Sequence, residues 1–355
     1  MNPDAIKTNI LTMRHSLGVA VCAGAVLLLT AGAQGQNLFV ADFGSDNIYE
    51  FTPGGTRSTV ASGLNYPQGL AFNSAGDLFE ADEDNQIGGG NIYEFTPGGA
   101  KSTFASGLNP EGLAFNSAGD LFEADAVSGN IYEFTPGGTK STFASGLNWP
   151  TELAFNSAGD LFESDTGSGN IYEFAPGGAK STFASGLNPE GLAFNSAGDL
   201  FESDAGSGNI YEFTPGGAKS TFASGLSFPE GLAFNSAGDL FEADEGTGYE
   251  GGAYIYEFAP SGAQSTFASG LYVPTGLAFQ SVTLPIPEPS ALGLLAVGIG
   301  GLSALLVVRR RKAWGRMTLS PGFKFGSFVM LFRTTPNQRL IDKRLWKPVA
   351  MRLSP

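Results

Sequence analysis

Residues 121 to 160 read LFEADAVSGNIYEFTPGGTKSTFASGLNWPTELAFNSAGD, and near-copies of this stretch fill the chain from Asn37 to Phe279. The aspartate that closes each Leu-Phe-x-[Ala/Ser]-Asp run falls at Asp42, Asp82, Asp125, Asp165, Asp204 and Asp244, with spacings of 40, 43, 40, 39 and 40 residues. A fixed period of this size marks a repeat architecture. Within residues 121 to 160 the apolar runs are LFEAD, NIYEF, KSTFAS and ELAFN, separated by AVSG, TPGG, GLNWPT and SAGD. Short runs rich in Phe, Tyr, Ile and Thr, bounded by Gly, Pro, Asn and Asp, read as strands joined by tight turns. No apolar pattern of helical period competes within the repeats. Each unit is therefore expected to be a four-stranded antiparallel meander, and the six units to supply 24 strands.

The repeats are out of phase with the chain. The first unit begins at its second strand, Asn37 to Asp42, and the last ends with an extra first strand, Gly276 to Gln280. That offset suits a closed ring in which the C-terminal strand completes the first blade and removes the exposed edge. An open solenoid would need polar caps, which the sequence lacks. The expected fold is all-β, a six-bladed β-propeller spanning residues 37 to 283.

The phrase Pro-Glu-Gly-Leu-Ala-Phe-Asn-Ser-Ala-Gly-Asp-Leu-Phe at Pro110 to Phe122 recurs with small changes in the other units. It resembles the NHL-repeat and gluconolactonase-like (SMP-30-like) propellers, over about 245 of the 355 residues. The resemblance is informative for fold and weak for activity. It implies a divalent cation near the Pro-x-Gly position, and a Ca-dependent hydrolase as one alternative function.

The two ends read as addresses. Residues 1 to 36 resemble a secretory signal: Arg14 and His15 precede an apolar run, Leu17 to Ala33, with Ala31-Gly32-Ala33 as a cleavage site. Met13 is an alternative start. At the other end, residues 284 to 312 hold Pro287-Glu288-Pro289, an apolar run from Ser290 to Val308, and Arg309-Arg310-Arg311-Lys312. Nineteen apolar residues make a helix of about 28 Å, long enough for a bilayer core. This arrangement resembles a PEP-CTERM sorting signal with a transmembrane helix. It implies the Sec machinery and an exosortase-type sorting enzyme as partners. The expected route is export through the inner membrane to the cell surface or extracellular matrix of a Gram-negative-type bacterium. Residues 313 to 355 form a basic tail absent from that pattern, either cytoplasmic or read-through.

Residues 37 to 308 carry five cations against 32 acids, a net charge of −27. Such a field repels nucleic acid, so no nucleic-acid partner is expected. The only histidine and cysteine, His15 and Cys22, lie in the signal segment. The repeats therefore contain no Ser-His-Asp or Cys-His nucleophile, no thiolate and no ordinary zinc site. The histidine-dependent chemistry implied by likeness to virginiamycin-lyase propellers has no histidine to use.

Three groups of residues are candidates for function. The residue between Pro and Gly at the innermost strand is Gln68, Glu111, Glu190, Glu230 or Thr275, while one unit has Pro150-Thr151-Glu152. By the family resemblance, Glu111, Glu190 and Glu230 are candidate Ca²⁺ ligands; the bland reading is a solvated rim. The blade-to-blade loops add Tyr66, Trp149, Phe228 and Tyr272, beside the long loops Glu83 to Gly90 and Glu245 to Ala253. Exposed rings among carboxylates stack on sugars, whereas buried ones fill gaps between blades. Glutamates also recur inside the blades, at Glu80, Glu123, Glu163, Glu202 and Glu242 and at Glu50, Glu94, Glu133, Glu173, Glu212 and Glu257. Burial would be costly, so these are expected to reach solvent near strand ends or to bond Ser/Thr of the outer strand. The expected function is a non-catalytic surface protein that binds polysaccharide or another surface protein. A purely structural surface component is a further alternative.

Overall fold

Twenty-four strands form six separate four-stranded antiparallel sheets in the computed structural model, which describes residues 35–84, 87–246 and 252–280. In the first blade Pro274–Phe279 lies innermost, followed outward by Leu38–Asp42, Asn47–Phe51 and Arg57–Ser62. The C-terminal strand thus closes the ring, as the offset of the repeats predicted. Blades two to six run outward in chain order from the strands beginning at Pro67, Pro110, Pro150, Pro189 and Pro229. These innermost strands start earlier than the apolar pattern suggests. Pro150 already pairs with Asp165, and the register then shifts before Leu153 meets Glu163.

Phenylalanines seal the blades to one another. Phe39–Phe72, Phe79–Phe115, Phe122–Phe155, Phe162–Phe194, Phe201–Phe234 and Phe241–Phe279 all meet edge-on, with centroids 5.0 Å apart. Each pair joins the second strand of one blade to the innermost strand of the next, in a favoured aromatic geometry. The belt is continuous because Phe279 belongs to the C-terminal strand.

Around the axis, backbone packs on backbone. A Cβ at Gly69, Gly112, Gly191, Gly231 or Gly276 would strike the carbonyl oxygen of Glu111, Thr151, Glu230, Thr275 or Gln68 in the next blade. Only glycine permits that approach. The sixth equivalent position carries Glu152.

The repeated aspartate anchors the incoming loop. Asp42, Asp82, Asp125, Asp165, Asp204 and Asp244 accept the N–H of Val273, Asn65, Asn109, Asn148, Asn188 and Ser227 at 2.8–3.0 Å. The Asp/Gly turns are turns: Ser168 and Gly169 N–H both donate to the Asp165 carbonyl.

The glutamates inside the blades divide into two sets, and one set corrects the expectation. Third-strand Glu50, Glu94, Glu173 and Glu212 accept a bond from an outer-strand serine, as in Ser58 to Glu50 at 3.3 Å and Ser102 to Glu94 at 3.4 Å. Glu80, Glu123, Glu163, Glu202 and Glu242 instead have no exposed surface and no partner on either carboxyl oxygen. The register is the cause. Each sits mid-strand opposite a third-strand tyrosine, as Glu80 opposite Tyr93 and Glu163 opposite Tyr172. Burial, with Asp165 adding repulsion, pushes the Glu163 carboxyl up to about 9, and Glu202 likewise to about 9. Burial at this depth favours the neutral acid over the carboxylate.

All five propeller cations lie on outer strands above a tyrosine of the same blade. Arg57, Lys101, Lys140, Lys180 and Lys219 stand 3.4–4.8 Å from the ring centroids of Tyr49, Tyr93, Tyr132, Tyr172 and Tyr211. In the sixth blade Gln264 takes the cation's place, and Tyr254 stacks on Tyr256 instead.

Among the described residues no helix is long and apolar enough to cross a membrane. The apolar run of the signal segment and the sorting segment with Pro287, Glu288, Pro289, Arg309, Arg310 and Arg311 lie outside them.

Candidate functional site: an acidic throat with an aromatic rim

The Pro-x-Gly segments converge on the ring axis. There they enclose a throat of about 50 Å³ lined by Gln68, Glu111, Thr151, Glu152, Glu190, Glu230, Thr275 and five glycines. Glu111, Glu190 and Glu230 are thus brought into one cavity from three blades. Glu152, set aside in the sequence as an exception to the glycine rule, is a fourth carboxyl there.

The hydrogen bonding of the throat is lopsided. Its neutral donors are committed: Gln68 Nε2 donates to Glu83 Oε2 at 3.3 Å, Thr275 Oγ1 to the Pro67 carbonyl at 3.1 Å, and Thr151 Oγ1 pairs with Thr166 Oγ1 at 2.9 Å. Glu152 Oε1 accepts the Leu153 N–H at 2.9 Å. Nothing among the described residues donates to Glu111, Glu190 or Glu230, whose carboxyls are affected only by burial and by other carboxyls. Burial lifts Glu152 to about 7. Burial, reinforced by Glu245, Asp204 and Glu152, lifts Glu190 to about 8. Glu111 and Glu230 are raised well above the usual carboxylate range by burial and their acidic neighbours.

The aromatic candidates ring this mouth. Trp149, Phe228 and Tyr272 are 49%, 58% and 47% exposed, which argues against a gap-filling role for them. Tyr66 is partly covered, stacked on Phe43 at 4.5 Å, a partner not apparent in the sequence. The loops connect rim to throat directly. Glu83, Thr166 and Glu245 N–H donate to the carbonyls of Tyr66, Trp149 and Phe228, each at 3.2 Å. The side chains of Glu83 and Thr166 then meet Gln68 and Thr151 in the throat.

Tyr66, Trp149 and Phe228 have φ of 62°, 60° and 56°. Each is an extra residue before proline: the loops read Leu-Asn-Tyr-Pro, Leu-Asn-Trp-Pro and Leu-Ser-Phe-Pro, where the alternate loops read Leu-Asn-Pro at Leu108 and Leu187. Bulky side chains seldom adopt this left-handed conformation, and strain of this kind gathers at functional sites.

The throat carboxylates offer the hard oxygen donors that Ca²⁺ takes. Among the described residues, however, no three His, Cys, Asp or Glu side chains close on one point to hold a metal ion. Larger grooves lie between blades on the opposite face. One of about 520 Å³ is lined by Phe122, Glu133, Phe143, Phe155 and Asn156, among others, and contains no rim or throat residue.

Comparison with known proteins places the fold. No protein-family profile matches the chain. No curated protein matches its sequence. Among solved structures, a gluconolactonase from Xanthomonas campestris is 16% identical with a TM-score of 0.54, covering 68% of this chain and 87% of that one. A catalytically inactive virginiamycin B lyase from Staphylococcus aureus with quinupristin is 13% identical, TM-score 0.53, covering 70% and 94%. A streptogramin B lyase structure is 14% identical, TM-score 0.54, covering 69% and 87%. At these identities the likeness is one of fold, a six-bladed propeller shared with gluconolactonase and streptogramin B lyase.

Proposed function

We propose that the protein is a non-catalytic binding propeller whose ligand face is the throat mouth, and that it holds polysaccharide across the aromatic rim. The observation that carries this reading is the trio Tyr66, Trp149 and Phe228. Each is an inserted residue held at positive φ, and the latter two are about half exposed. Exposed rings with adjacent carboxylates stack on sugar faces and accept hydroxyl hydrogen bonds. The terminal segments give the place of action: export through the Sec machinery, and sorting at Pro287-Glu288-Pro289 to the cell surface or its matrix. The test is glycan retention by the wild type against a Trp149→Ala/Phe228→Ala variant. Equal retention of every glycan by both would end the proposal.

A second reading, a gluconolactonase-like hydrolase, draws on the shared fold and on Glu152. A carboxyl titrating near 7 inside a cavity is suited to proton transfer at neutral pH. Lactone turnover stimulated by Ca²⁺ and removed by Glu152→Gln would replace the binding reading with this one.

A further inference from the structure

Tyr66, Trp149 and Phe228 repeat one backbone geometry at every second blade. Their φ values are 62°, 60° and 56°, and their carbonyls accept the N–H of Glu83, Thr166 and Glu245 at 3.2 Å. The blades before them contribute a second matched set, Phe43, Ala126 and Ala205. Each follows the repeated aspartate. Each N–H donates to the carbonyl just before the proline of its own innermost strand, on Val273, Asn109 and Asn188, at 2.9–3.1 Å.

This backbone equivalence makes the side-chain differences informative. Beside Tyr66 the slot is filled: the Phe43 ring stacks there, with centroids 4.5 Å apart and planes at 23°. At the two matching positions phenylalanine gives way to Ala126 and Ala205. Among the described residues Trp149 and Phe228 stack on no other ring, and both are exposed where Tyr66 is partly covered. The slot beside Phe228 is the more open, since Ala205 is partly exposed and Ala126 is buried. Phe43 is thus a stand-in, supplied by the chain itself, for the group that lies beside the other two rings.

The stand-in defines that group as a flat slab with an apolar face. A β-linked pyranose whose hydroxyls are all equatorial presents such a face of C–H bonds, and its hydroxyls project from the edge. An axial hydroxyl breaks the face. All five propeller cations lie over tyrosines on the outer strands, so the mouth has no positive group to hold a uronate or a sulfate. We propose that the rim holds two open stacking subsites, beside Phe228 and beside Trp149, each taking a neutral, equatorially substituted pyranose of a β-linked polysaccharide, and that Phe43 closes the third, beside Tyr66. This rests on the rim reading above and specifies its subsites and the sugar they take.

The experiment measures depletion isotherms of the full chain on amorphous cellulose, with α-mannan, whose 2-hydroxyl is axial, as the control. The wild type should be retained on cellulose in preference to mannan. Ala205→Phe places the stand-in ring beside Phe228 and should weaken retention about threefold to tenfold, the scale of one stacked ring pair. Phe43→Ala opens the slot beside Tyr66 and should strengthen retention by a similar factor, a gain that mere loss of packing would not produce. Melting confirms that each variant is folded, and if one is not, the other decides. Folded variants that leave retention unchanged, or a Phe43→Ala variant that binds more weakly, overturn the slot inference and leave the rim reading standing. Equal retention on cellulose and mannan overturns the sugar class. A protein that ignores cellulose but holds another glycan through Trp149 and Phe228 overturns this inference alone. Retention of no glycan at all overturns both.

Discussion

Trp149 adopts the left-handed region immediately before a proline, where neither a bulky side chain nor its position favours it. Left-handed backbone costs an L-residue about 1–2 kcal/mol, and asparagine tolerates it best among residues with a side chain. If the ring serves a ligand, Trp149→Asn should leave thermal stability unchanged or raise it by about 1 kcal/mol while glycan retention falls. A drop of several degrees in the melting temperature would instead mark the ring as blade packing. Glu163 allows a parallel test of buried charge chemistry. The first blade carries Val40 at the equivalent position, opposite Tyr49, so the site accepts an aliphatic residue. Glu163→Val should stabilise the protein at neutral pH by on the order of 1–3 kcal/mol, read from urea unfolding. Destabilisation would show that the glutamate has a partner. Neither residue's state could be read from the chain alone. Trp149 was visible as an aromatic of a blade-to-blade loop, but its φ follows from how the loop closes onto Asp165. Glu163 looked too costly to bury because its depth is fixed by cross-strand register, which the repeat pattern leaves open.

At the scale of the element, the innermost strands carry the geometry of the site. Their alternation and bounding turns made them legible as strands. The Pro-x-Gly motif was legible too, but the reason for its glycine is not local. It lies in the adjacent blade, whose carbonyl occupies the space a Cβ would need. Gly231→Ala should therefore destabilise by about 1–3 kcal/mol through forced displacement, because its Cβ would meet the Thr275 carbonyl. Gly177 has open space and no positive φ, so Gly177→Ala should be near neutral. Denaturant midpoints for the two variants decide the matter, and equal effects would refute axial packing as the constraint. The same tight ring explains why Glu111, Glu190 and Glu230 share one throat. The residue two positions before the leucine of each innermost strand lines it.

At the scale of the whole molecule, the closed ring was readable from the phase of the repeats, since a strand missing at one end and added at the other completes a blade. The distribution of protons was not, and it leads to a prediction for the entire propeller. An unfolded glutamate titrates near 4.3, whereas folded Glu163 and Glu202 titrate at about 9, and Glu80, Glu123 and Glu242 shift in the same direction through burial. Below the unfolded value both states hold the proton, and burial carries no ionic penalty. As pH rises through it, the unfolded chain releases protons that the folded chain keeps, so folding stability falls until the folded groups ionise. The propeller should be most stable near pH 4 and lose stability steadily toward about pH 9. Mutual repulsion among the ionised surface acids has the same sign, so salt separates the two causes. Screening at about 1 M shortens the Debye length to about 3 Å and removes surface repulsion, but leaves the buried carboxyls untouched. In high salt the decline should persist in the wild type. In Glu163→Val/Glu202→Val it should be clearly shallower. A slope that vanishes in salt, or one that the double variant leaves unchanged, would place the protons on the surface and show that the buried glutamates are not acids held neutral by the fold.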